Sequence, residues 1–95
     1  MKIKTIDIIC KTWFDKFNGN SYFSCKVILN YGMTTEKEYY IPYQYGYGDQ
    51  YEYETLKSIA PNYKSNLYNY CHAHKIILRT AKESALKRVV KNLLY

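Results

Sequence analysis

No stretch of this sequence approaches the roughly 18 uncharged apolar residues that a membrane-crossing helix requires, and no low-complexity tract interrupts it. The first absence argues against a helical membrane span and the second against a disordered tail. Met1-Lys2-Ile3-Lys4 leads into strand-like alternation rather than into a secretory leader, so the chain is expected to stay in the cytoplasm. Paired cysteines are missing as well. Cys10, Cys25 and Cys71 are odd in number and widely spaced, which is unlike a disulfide scaffold and points to reduced, core-facing residues.

Catalytic furniture is equally sparse. The two histidines, His72 and His74, sit with Cys71 in the one cluster of metal-ligand types. On a helix, residues two apart point about 200° away from each other, so no metal site is expected there. No further histidine could serve as a base for a nucleophile, and the eight carboxylates form no acid/base pattern, so the chain is expected not to be an enzyme. Tyr45-Gly46-Tyr47-Gly48-Asp49 is a glycine-rich turn opening a helix, but it lacks the lysine and spacing of a phosphate loop, and Asp49 would repel an anion there. Neither a cofactor nor a small-molecule substrate is expected.

Apolar residues, by contrast, make up 47% of the 95 residues, enough for one modest core, and residues 1–95 are read as a single domain. The net charge is +6 and is unevenly placed. Met1 to Gly48 carries +2, Asp49 to His74 carries −1, and Lys75 to Tyr95 carries +5 with Glu83 as its one acid. Twelve of the fourteen basic residues are lysine, so nucleic-acid binding would lean on phosphates rather than on bidentate base recognition.

Alternation predicts a strand over Lys2 to Phe17, with Ile6, Ile8, Cys10 and Phe14 on one face and Ile3, Ile9, Trp13 and Phe17 on the other. Asn18-Gly19 suits a tight hairpin, and Tyr22 to Asn30 alternates again, Phe23, Cys25, Val27 and Leu29 opposing Tyr22, Ser24, Lys26 and Ile28. Thr34 to Tyr43 reads as a third strand, ended or placed at an edge by Pro42. Asp49 and Glu52 resemble a capping box for a helix running to Pro61, which kinks or divides the helical region, and Leu67, Tyr70, Cys71 and His74 keep helical spacing beyond it. Lys75 to Arg79 reads as a short fourth strand or as an extension of a helix. Thr80-Ala81-Lys82-Glu83 then predicts a capped closing helix, with Ala85/Leu86, Val89/Val90 and Leu93/Leu94 as its inward stripe and Ser84, Lys87, Arg88 and Lys91 outside. The expected fold is α+β: a three-stranded antiparallel meander, a helical region, a fourth strand and a C-terminal amphipathic helix packed on one sheet face, with helices covering one face of the sheet.

Seven tyrosines lie between Tyr39 and Tyr53, more than a core this small can bury with every hydroxyl satisfied, so some must be exposed. Exposed tyrosine suits either a stacking platform for unpaired bases or a protein interface. Lys75, Arg79, Lys82, Lys87, Arg88 and Lys91 are therefore candidate phosphate contacts, and Tyr43, Tyr45 and Tyr47 candidate stacking or interface residues. Six phosphate contacts would give a log–log salt slope of about −5 on duplex DNA and about −4 on a single strand.

Trp13-Phe14, Gly19-Asn20-Ser21-Tyr22, Pro42 and Tyr45-Gly46-Tyr47-Gly48-Asp49 together form a skeleton that resembles a family of small bacteriophage and prophage proteins of unassigned function. The resemblance covers about the first half of the chain and the start of the first helix. It implies a bacterial host cytoplasm and an accessory role, either binding nucleic acid or a nucleoprotein, or inhibiting a host defence complex by protein contact in the manner of an anti-CRISPR protein.

Overall fold

The computed structural model describes residues 2–95, so Met1, where the leader reading begins, lies outside the described residues. Four strands and three helices occur among them: β1 (Thr5–Asp15), β2 (Asn20–Leu29), β3 (Lys37–Tyr45), α1 (Gln50–Ile59), α2 (Leu67–Ala73), β4 (Ile77–Ser84) and α3 (Lys87–Lys91). The sheet order is β3-β2-β1-β4, with β1–β2 and β2–β3 antiparallel and β1–β4 parallel. The fold is α+β, as expected.

The first hairpin forms in the expected place, but through a loop from Lys16 to Gly19 rather than a tight two-residue turn at Asn18-Gly19. Asp15 caps the turn by accepting the backbone N–H groups of Phe17 (3.0 Å) and Asn18 (3.3 Å), and Gly19 takes the positive φ of 68° that closes it. In the resulting register Cys10 lies opposite Cys25 and Trp13 opposite Tyr22. The alternation of β1 and β2 then sorts the sheet into two faces. Ile6, Ile8, Cys10, Phe23, Cys25, Val27 and Leu29 are buried on the first, which α1 and α2 cover with Tyr51, Leu56, Leu67 and Cys71.

Pro42 lies in β3, an outer strand of the sheet, where its missing N–H costs no ladder bond, and the β2–β3 register shifts between Phe23 and Cys25. Asp49 stands at the N-cap of α1, but its side chain makes no capping bond; its main-chain oxygen accepts from Glu52 (2.9 Å) and Tyr53 (3.4 Å) instead. Pro61 divides the helical region. The second helix, from Leu67, is capped by Asn66, whose side chain accepts the Asn69 N–H at 2.8 Å.

The C-terminal segment departs from expectation in three ways. Thr80 to Ser84 does not cap a helix; it continues β4, paired with β1 from Thr5↔Ile77 to Thr12↔Ser84. Eleven residues of β1 offer an open edge, and ladder bonds along that edge outweigh the local helical preference of a Thr-x-x-Glu sequence. The helix is thereby cut to five residues, and of its expected inward stripe only Val90 is fully buried, whereas Leu86 and Leu94 are 63% and 51% exposed.

The third departure concerns the layers. α3 does pack on one sheet face, but on the opposite one from α1 and α2. Tyr95 bonds Ser24, and Lys11 lies over the Tyr95 ring, and both Ser24 and Lys11 belong to the second face by alternation. Val90 is buried yet stands outside the main core cluster.

Candidate nucleic-acid interface

The second sheet face carries a row of aromatic rings at the hairpin end. Trp13 of β1 stacks on Tyr22 of β2 at 5.9 Å between centroids and 30° between planes. Tyr22 stacks in turn on Tyr43 of β3 at 5.1 Å and 10°, and Tyr45 meets Tyr22 edge-on at 6.0 Å. Offset, near-parallel pairs of this kind are favoured by the ring quadrupoles and hold one another upright on the pleat. Trp13, Tyr22 and Tyr43 are half-buried; Tyr45 is 60% exposed. Burial, reinforced by Tyr22 and the Asp15 carboxylate, raises the Tyr43 phenol above its ordinary value.

Cations flank this column. Lys87 of α3 sits 5.2 Å from the Trp13 ring centroid, closing that end. The face of Tyr43 away from Tyr22 has no aromatic partner among the described residues, so a planar base could extend the column there. Arg88 and Lys91, on the same short helix, are exposed and form no ion pair among the described residues. Lys11, between α3 and the sheet, pairs with Glu83 at 3.6 Å and donates to the Leu94 carbonyl.

The remaining sequence candidates are dispersed. Arg79 grips Asp7 through Nε (2.7 Å) and Nη2 (3.0 Å), and that carboxylate raises its pKa further. Lys82 points to the first face, donating to the Gly48 carbonyl at 2.8 Å and lying 5.8 Å from the Tyr51 ring. Lys75 occupies the turn after α2 at a φ of 56°. Tyr47 is 73% exposed in the loop before α1 and joins no ring pair among the described residues. Of nine candidates, the structure brings together Tyr43 and Tyr45 by the column, and Lys87, Arg88 and Lys91 on α3. Trp13 and Tyr22 were not among the candidates. Nothing in the sequence signals them directly: a two-residue turn at Asn18-Gly19 would set Trp13 opposite Ser24, whereas the observed loop from Lys16 to Gly19 sets it opposite Tyr22.

Cys71 is buried in α2 with His72 and His74 exposed beside it. No helix among the described residues is long and apolar enough to cross a membrane. Comparison with protein-family models, with curated proteins and with solved structures finds no match to this chain.

Proposed function

We propose that the protein binds single-stranded nucleic acid, non-catalytically, on the second sheet face. Unpaired bases extend the aromatic column at Tyr43 and lie on Tyr45, while Lys87, Arg88 and Lys91 hold phosphates. The observation that supports this most is the adjacency of a three-ring column to a helix whose exposed cations carry one sign. An exposed aromatic surface alone would suit a protein partner equally well. A cationic helix alone would suit a solvated surface.

Three phosphate contacts, rather than the six expected from sequence, give a log–log salt slope of about −2 on a single strand. Base–aromatic stacking adds about 1–3 kcal/mol per base. Trp13 is the one tryptophan of the chain and belongs to the column, so its fluorescence is an internal reporter. Titration with labelled single- and double-stranded DNA and RNA at several salt concentrations should show tighter single-strand binding with a change in Trp13 emission. Replacing Lys87, Arg88 and Lys91 by glutamine should flatten the slope, and Tyr45→Ala should weaken binding by about tenfold. Unchanged affinity in both variants would overturn the reading. Absence of binding to any nucleic acid at low salt would turn it towards the protein-contact role.

A further inference from the structure

The two outer strands of the sheet are not treated alike. β3 carries Pro42 and an irregular register, both of which obstruct further pairing. β4 has neither proline nor bulge: its eight residues pair with β1 without a register break, and all but Leu78 are exposed. Ile77 and Ala85 donate their N–H groups inward, to the carbonyls of Lys4 and Thr12. By alternation the main-chain groups of Leu78, Thr80, Lys82 and Ser84 point outward, and no backbone bond to them exists among the described residues.

We propose that β4 pairs antiparallel with β4 of a second copy of this chain, about a two-fold axis at Ala81. The sequence is self-complementary in this register. Thr80 faces Lys82 of the other copy and Leu78 faces Ser84, so every residue with outward main-chain groups meets another such residue, giving hydrogen-bonded pairs. Arg79 faces Glu83 of the other copy, and Glu83 faces Arg79, in closely spaced pairs without main-chain bonds. Ala81 meets itself on the axis, where a small side chain is needed.

Each contact joins charges already organised within one chain. Arg79 is held by Asp7 and Glu83 lies 3.6 Å from Lys11, so pairing creates two rows of alternating sign, Asp7–Arg79–Glu83–Lys11, across the interface. A one-residue slip would set inward-pointing main-chain groups against outward ones and lose both rows. The axis stands perpendicular to the sheet, so both copies present α3 and the aromatic column on the same side.

Sedimentation equilibrium of the full chain should give twice the mass of one chain. Arg79→Glu and Glu83→Arg should each weaken self-association by about tenfold or more, because each places like charges together twice. An equimolar mixture of the two variants should recover a one-to-one heterodimer, a rescue that misfolding of either variant cannot produce. Ala81→Cys should cross-link under mild oxidation, since cysteines opposite each other at a closely spaced position lie within disulfide reach. A wild-type chain that stays monomeric to millimolar concentration would overturn the proposal. So would a dimer that survives both charge variants with no cross-link at position 81. Because the readout is mass, it stands apart from the outcome of the nucleic-acid titration.

Discussion

At the scale of single residues, Asn30 does the most that sequence inspection passes over. It is fully buried, at a φ of 55° that asparagine tolerates better than most residues. Its carbonyl oxygen accepts from the N–H groups of Lys4 (2.6 Å) and Thr5 (3.3 Å), and its amide donates to the Lys2 carbonyl (2.9 Å) and Thr35 Oγ1 (3.0 Å). One side chain thus fixes the start of β1 to the loop before β3. Asn30→Ala leaves those partners unsatisfied and adds backbone strain, so urea unfolding should show a loss of about 3 kcal/mol. Gly46 is constrained by space instead: a Cβ there would lie 2.7 Å from the buried Phe23 ring, so Gly46→Ala should destabilise by about 1–3 kcal/mol in the same assay. The thiols offer a third measurement. Cys10 and Cys25 face each other within the core; their hydrogen bond pushes the Cys10 thiol down and, with burial, the Cys25 thiol up, burial raises the Cys71 thiol, and all three are buried away from reagents. A thiol reagent at mildly alkaline pH should label none of the three in the native state and all of them in denaturant.

Among the elements, α3 shows how a five-residue helix is kept in place. Too short to be stable alone, it is held by Val90, by Lys87 over Trp13 and by the terminal Tyr95, whose hydroxyl meets Ser24 Oγ at 2.7 Å. Val90→Ala should cost about 2 kcal/mol. Burial pushes the Tyr95 phenol up to about 12, and that of Tyr51 likewise. A phenol raised from its ordinary value near 10 favours the folded state fully below pH ~10, and that contribution is lost as pH climbs through ~12. Stability should therefore hold level to about pH 10 and then fall, and Tyr95→Phe should reduce the fall while losing the tie to Ser24. Chemical denaturation from pH 8 to 12 checks both. What was legible in this region follows the range of the interaction. The hairpin, the Pro61 break and the outward Lys87, Arg88 and Lys91 depend on neighbours in sequence. The extent of β4 depends on β1, some seventy residues earlier, and no local pattern in Thr80 to Ser84 reports it. Trp13 and Tyr22 were missed because the tight turn expected at Asn18-Gly19 sets Trp13 opposite Ser24, and only the longer loop from Lys16 to Gly19 brings it opposite Tyr22.

For the whole molecule, one sheet serves two packing layers of unequal depth. The first face buries a contiguous core from all four elements of β1, β2, β3 and α1, joined by α2; the second buries Val90 beneath α3 and leaves the adjoining surface open. Elements that bury few apolar contacts open more easily than the core they rest on. α3 should therefore detach without unfolding the sheet. In native-state hydrogen exchange the α3 amides should exchange with a free energy well below the global value and with little denaturant dependence, while β1 and β2 amides exchange only on global unfolding. Because Lys87 covers Trp13, the same opening should appear as an early tryptophan fluorescence change in urea, ahead of the loss of far-ultraviolet dichroism. Val90→Ala should separate the two transitions further. Coincident transitions in both proteins would instead make α3 part of one cooperative unit. In that case the cations of the proposed interface would be fixed in place before any ligand arrives, rather than free to close over one.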